Sequence, residues 1–191
     1  MMTPRKSSKE LNKQLIIEEA REQFAHTDYQ LVSMRSIAKK LDCTHGAIYY
    51  HFENKAALFY AVIEGYFQHL NKKIEEIITS NEDQKESLQK LFIAFIKFGL
   101  DHQRPYELMF MTRNNEVDGL NHESANHCYQ NFAHAIHTLT NHHVTMRDVY
   151  SIFVSLHGFI SHYRGFAEGY KEAEDAALVH IEFIHKALRP F

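Results

Sequence analysis

The run at residues 44–55, Thr44-His45-Gly46-Ala47-Ile48-Tyr49-Tyr50-His51-Phe52 followed by Asn54-Lys55, holds the densest set of chemically capable side chains in the chain. Two phenols, two imidazoles, a hydroxyl and an ammonium fall within one short helix and its flanks. Such groups donate and accept hydrogen bonds, and phenol and imidazole faces stack. They suit recognition of base edges and phosphates better than covalent catalysis. Catalytic constellations are missing: there is no GxSxG, P-loop, HExxH or Gly-rich turn after a strand, so no enzyme is expected. Cys43 and Cys128 lie far apart, without CxxC or Cys/His spacing, and form no disulfide framework. Fifteen histidines are many for 191 residues. His127, His134 and His137 fall near one helical face, and His142-His143 follow. A metal-sensing module is the alternative these residues leave open. Gln130, Asn131 and Thr138 share that face, which reads as a solvated surface, so no metal and no cofactor are expected.

The charge is split. Residues 1–60 carry nine Lys/Arg against seven acids, whereas the remainder carries twelve against seventeen, which sums to the net −3. Arg5, Lys6 and Lys9 give the start of the chain a basic arm. A basic end on an acidic body points to a polyanion at one end. No run approaches the roughly 18 apolar residues of a membrane span. No apolar stretch follows the basic N-terminal residues, so a cytoplasmic chain without membrane contact is expected.

The elements that must position these groups are helical throughout. Leu11, Leu15, Ile16, Ala20 and Phe24 recur at three- and four-residue steps, predicting a helix over 9–26 capped by Ser7 or Ser8. Ser33 caps a short helix carrying Met34, Ile37, Ala38 and Leu41, and Thr44 caps the next, about 45–50. Asn54 caps a long helix to about 79. Further helices are expected at 86–102, 106–112, 122–140, 145–168 and 172–188, with Gly169 as a C-cap and 114–121 as a loop. The expectation is an all-α fold of about nine helices. A three-helix domain spans 1–60 and a second helical domain spans 61–191.

Residues 33–52 read as helix, short turn, helix. In such a unit the second helix enters the major groove, and the first turns its N-terminus, here Ser33 and Arg35, toward phosphate. Beyond that general pattern, Ile37-Ala38-Lys39-Lys40-Leu41, Gly46-Ala47-Ile48-Tyr49-Tyr50-His51-Phe52 and Asn54-Lys55-xx-Leu58 resemble the signature of the TetR family of transcriptional regulators. Asp42-Cys43 stands where members commonly have Gly-Val. The resemblance implies a homodimeric repressor whose N-terminal domains bind a palindromic double-stranded operator. A C-terminal domain would dimerise and bind a small effector. It places His45, Gly46, Ala47 and Tyr49 against bases or groove walls. Arg35, Thr44, Tyr50, His51 and Lys55 would hold phosphates or groove edges, with Arg5 and Lys6 adding backbone contacts.

The same resemblance puts the subunit interface on the last two helices. One stripe there contains Leu156, Ile160 and Tyr163, and the other contains Ala177, Ile181, Ile184 and Leu188. A small, largely apolar effector is expected among Phe92, Phe95, Ile96, Leu108, Met109, Met111, Phe132, Ile136, Phe153 and His157. Ser155-Leu156-His157-Gly158 resembles a Trp-x-x-x-His-Gly subgroup pattern, with Phe153 in the place of Trp. The long helix after Lys55 would carry effector binding to the DNA-binding domain.

Overall fold

A computed structural model of the chain describes residues 11–111 and 118–188. Arg5, Lys6 and Lys9 lie outside the described residues. Nine helices run in order among the described residues: α1 (Lys13–His26), α2 (Met34–Lys40), α3 (His45–His51), α4 (Lys55–Ile78), α5 (Gln84–Asp101), α6 (Gln103–Phe110), α7 (Asp118–Leu139), α8 (Met146–Tyr163) and α9 (Tyr170–Ala187). The fold is all-α, as the periodicity predicts. The chain divides into two compact units, the first ending at Val62 and the second beginning at Ile63.

Several boundaries differ from expectation. Asn12, not Ser7 or Ser8, caps α1, its side chain accepting from Leu15 N at 3.0 Å. Helix α7 begins at Asp118 rather than 122. Helix α8 stops at Tyr163, and the chain then turns through Gly165 at φ +85°, a left-handed conformation that glycine adopts without steric penalty. Gly169 therefore does not end α8. It is the N-cap of α9, in extended backbone. The connection is held by Gln103, which donates to Ala167 O at 2.7 Å and accepts from Gly165 N at 3.1 Å. Asp101 Oδ1 accepts from Tyr170 N at 2.9 Å.

In the first unit, Ile16, Ala20 and Phe24 of α1, Ile37 and Ala38 of α2, Ile48 of α3, and Leu58 and Phe59 of α4 are all buried. Phe24 and Tyr29 set their rings edge-on to Phe59, at 5.0 and 4.8 Å between centroids. Such contacts add to the area term of burial. In the second unit α5 is the central helix, burying Leu88, Leu91, Phe92, Phe95, Ile96 and Phe98. Gly99 lets α8 approach it closely: a Cβ there would lie 2.6 Å from Ile160 Cδ1.

Most of the residues expected on the dimer stripes face inward in the single chain. Leu156, Ile160, Ala177, Ile181, Ile184 and Leu188 are all buried within the single subunit, on the sides of α8 and α9 that complete its core. Tyr163 is half-buried and stacks on Phe159. Periodicity picks out a helix's apolar face without saying what covers it, and here the covering element is the chain's own α5. The outward faces carry Tyr150 and Val154 of α8, and Val179 and Phe183 of α9, together with Phe166 in the connection.

Candidate functional site

Helix α2 opens with a reciprocal cap. Ser33 Oγ accepts from Ser36 N, and Ser36 Oγ accepts from Ser33 N. Ser36 Oγ also donates to Gln23 Oε1 of α1 at 2.8 Å, fixing the two helices to each other. The turn between α2 and α3 is a paired C-terminal cap: Cys43 N donates to Ala38 O at 3.0 Å and Asp42 N donates to Lys39 O at 3.3 Å. Asp42 sits at φ +51°, the position such caps usually give to glycine. Thr44 Oγ1 then accepts from Ala47 N at 3.2 Å and starts α3.

Helix α3 commits one residue, Ile48, to the core. His45, Gly46, Tyr49 and Tyr50 are exposed, while Ala47 and His51 are half-buried. Tyr50 is 87% exposed, extreme for so large a side chain. His45 meets Tyr49 edge-on at 4.7 Å, presenting them as one aromatic surface. Ser33, Arg35 and Thr44 are exposed at the ends of α2 and α3, and Lys39 and Lys40 extend this cationic fringe. The last two were legible in the sequence as polar positions between Ala38 and Leu41.

Lys55 does not join that surface. Its ammonium donates to Tyr29 O at 2.8 Å and Val32 O at 3.2 Å, and sits 4.2 Å over the Tyr29 ring. The role expected for it at a phosphate is corrected accordingly: its charge holds the α1–α2 loop onto the start of α4. Position in the sequence gave no hint of this, because the carbonyls it binds come from more than twenty residues away.

In the second unit the structure gathers part of the expected effector lining. Phe95, Phe132 and Phe153 form a cluster with ring centroids 5.1–5.8 Å apart. Tyr106 and Phe110 of α6 join it, two residues the sequence reading left out. Tyr106 Oη lies 2.8 Å from His157 Nδ1, the polar pair of an otherwise apolar cluster. Burial holds the His157 imidazole below its ordinary pKa, so it is neutral near pH 7. Ile96, Leu108, Met109 and Ile136 are buried, and Met111 is half-buried. Phe92 is directed elsewhere, its ring 5.6 Å from His185 of α9. Two described cavities, of about 570 and 580 Å³, lie away from this cluster, one at α5 and α9 and one at α4 and α7.

The histidines are dispersed. His137 stacks on His142 and turns Nε2 toward Met146 Sδ at 3.0 Å. Among the described residues no three His, Cys, Asp or Glu side chains converge as metal ligands would. Cys128 is buried, and burial pushes its thiol up to about 12, well away from the thiolate a nucleophile needs.

Residues 16–62 match the profile of bacterial regulatory proteins of the tetR family. That stretch therefore carries a TetR-type helix-turn-helix. The match runs from Ile16 within α1 to Val62 in α4, so it spans the helix-turn-helix and its flanks. Over 115 residues, 60% of the chain and 60% of the relative, it is 24% identical to IcaR of Staphylococcus epidermidis, the negative transcriptional regulator of the biofilm operon icaADBC. It is 29% identical over 89 residues to YuxN of Bacillus subtilis, an uncharacterised HTH-type transcriptional regulator, covering 47% of the chain and 31% of YuxN. The chain thus spans less than two thirds of the length of either relative. The TetR fold extends through the second unit. FadR of Bacillus halodurans, a fatty acid degradation regulator, superposes with a TM-score of 0.71 at 16% identity, covering 97% of the chain and 96% of FadR. FadR of Bacillus subtilis in complex with stearoyl-CoA gives 0.69 at 15%, covering 89% and 97%.

Proposed function

We propose that the chain is a homodimeric transcriptional repressor that binds a palindromic DNA operator through α3 and leaves it when a largely apolar effector binds. The observation that carries this reading is Gly46. A Cβ at that position would meet nothing nearer than Thr44 Oγ1 at 4.0 Å. Packing within the chain gives no reason for glycine, which costs a helix about 0.5–1 kcal/mol relative to alanine. Close approach of an outside surface does, and the side chains around Gly46 are those suited to a major groove. His45, Ala47 and Tyr49 then face bases or groove walls. Ser33, Arg35, Thr44, Tyr50 and His51 face phosphates or groove edges, and Arg5 and Lys6 contribute from the basic arm.

The outward residues Tyr150, Val154, Val179 and Phe183 take the dimer contact, in place of the buried stripes. A two-fold interface needs a self-complementary patch, and these residues supply an exposed apolar one on adjacent helices. The effector reading is supported by the cluster around Phe95, Phe132 and Phe153, whose Tyr106–His157 pair offers one polar anchor. It is also supported by the B. subtilis relative in fold, which holds a long acyl thioester. No helix among the described residues is long and apolar enough to cross a membrane, in keeping with a chain that works on DNA in the cytoplasm.

The test is fluorescence anisotropy with the DNA flanking this protein's own gene. Tyr49→Ala should weaken binding by about 1–3 kcal/mol, the worth of one good base contact, with helicity unchanged by circular dichroism. Equal affinity for the variant and the parent would overturn the assignment of α3.

A further inference from the structure

The outward faces of α8 and α9 hold an imidazole among the apolar side chains assigned to the subunit contact. His180 of α9 is half-buried between two phenylalanine rings. Phe159 of α8 stacks on it at 5.1 Å and 23°, and Phe183, one turn further along α9, lies at 6.5 Å and 23°. Ser155 Oγ is 3.1 Å from His180 Nε2, which ties the ring to α8. The stack continues from Phe159 to Tyr163 at 4.5 Å. Val154, Val179 and Phe183 are exposed around it.

No carboxylate is free to receive a charge on this ring. On α9, Glu172 accepts from Glu168 N, Glu174 pairs with Lys171, Glu182 pairs with Lys186, and Asp175 acts on Lys171. Asp148, the single acid of α8, is engaged by Thr145 at the start of that helix. The neighbouring imidazole, His162, is exposed and stacks on Phe166. Helix α5 packs against the inner sides of both helices; its Lys85 acts on His185, and its Lys97 pairs with Asp101. The Arg164 guanidinium at the end of α8 is bound to Glu107.

In a single subunit, one side of the His180 ring meets water. A second copy seated on this face would remove that water. A neutral imidazole then packs as one more aromatic ring, whereas an imidazolium would be desolvated without a counter-ion. The phenylalanine faces attract an imidazolium in the free and the covered subunit alike, so they do not offset the loss. Two-fold symmetry places two such rings in every closed interface.

We propose that the contact between two copies of this chain is proton-sensitive: it closes on neutral His180 and opens when that imidazole is protonated, so that acidification separates the subunits and weakens operator binding. This rests on the reading of the outward α8–α9 face as the subunit contact. The dimer binds fewer protons than two free subunits, so association is strongest above about pH 6.5, where imidazoles are neutral, and weakens as pH falls below it.

Sedimentation equilibrium of the full chain at constant ionic strength tests this between about pH 7.5 and about pH 5.5, with helicity followed at 222 nm on the same samples. The parent dimer should weaken at least about tenfold across that range while helicity is retained, because opening takes up two protons. His180→Phe and His180→Gln have no proton to gain and should lose most of the dependence. His185→Gln, a change on the other side of α9, should keep it. A parent association constant that does not respond to pH would overturn the proposal, as would the parent's slope in either His180 variant. Loss of helicity in step with association would overturn it too, since subunit unfolding would then be the cause. Val179→Glu with Phe183→Glu separates the two readings. A dimer that survives this pair removes the interface itself, whereas a dimer lost to it but with an unaltered slope in the His180 variants removes the proton switch alone.

Discussion

The two units of this chain spend their aromatic residues in opposite ways. In the second unit Phe95, Tyr106 and Phe132 are almost wholly buried, and half-buried Phe110 and Phe153 close around them. In the first, Phe24 and Phe59 supply the core while Tyr49 and Tyr50 stand in solvent. An exposed tyrosine contributes little to folding, whereas a buried phenylalanine contributes several kcal/mol. The contrast separates residues kept for stability from residues available for recognition. Changes on the α3 surface should move DNA binding and leave stability alone; changes in the α5 cluster should move stability.

The sharpest break of that comparison is Phe95→Ala. It should cost about 3–5 kcal/mol by lost transfer energy and cavity formation, read by urea denaturation followed at 222 nm. A loss under 1 kcal/mol would mean that the cluster is loosely packed. Next comes α9, where adjacent faces differ. Ile181→Asp buries a carboxylate and should lower the melting temperature strongly. Phe183→Glu with Val179→Glu should leave melting of the subunit fold intact yet shift the protein to monomer on a sizing column. Identical behaviour of the two sets would remove the distinction between core and interface faces.

Lys55→Met comes third. It removes charged hydrogen bonds to Tyr29 O and Val32 O, and should destabilise the first unit by about 2 kcal/mol. The salt slope of DNA binding should stay as in the parent, because the ammonium is engaged within the chain. A slope reduced by about one per subunit would restore a phosphate role.

A smaller effect follows from pH. His157 and His185 are both held below the ordinary imidazole range, His157 by burial and His185 by burial and then the nearby Lys85 charge. A histidine with a depressed folded pKa binds fewer protons folded than unfolded. Its contribution is therefore full above pH 6.5, the ordinary value, and is lost as pH falls through the lowered folded value. Stability should decline from pH 7 toward pH 5, and His157→Gln should flatten that decline; an unaltered slope would contradict it. Smallest is Asp42→Gly, which relieves a left-handed non-glycine residue and should stabilise by about 0.5–1 kcal/mol.

Much of the fold was legible because several helices carry their own punctuation. Ser33, Thr44 and Asn54 each accept from the amide three residues on, as their positions before apolar periodic runs predict. The surface of α3 was legible too, since a seven-residue helix with one clearly inward residue leaves few alternatives. What the sequence withheld were pairings across distance. The carbonyl partners of Lys55 and the burial of Ile181 depend on which distant segment arrives, and local periodicity is silent on that.

The contact of Gly99 with Ile160 sets a rule for how this chain can drift. A methyl group at position 99 would overlap three atoms of the isoleucine at 3.0 Å or less, so neither position is free while the other is fixed. The two behave as one inherited character: a larger residue on α5 becomes acceptable only after trimming on α8. Gly99→Ala should be poorly tolerated alone and largely rescued by Ile160→Val or Ile160→Ala. Descendants of this protein that lose the glycine are expected to have taken the second step first.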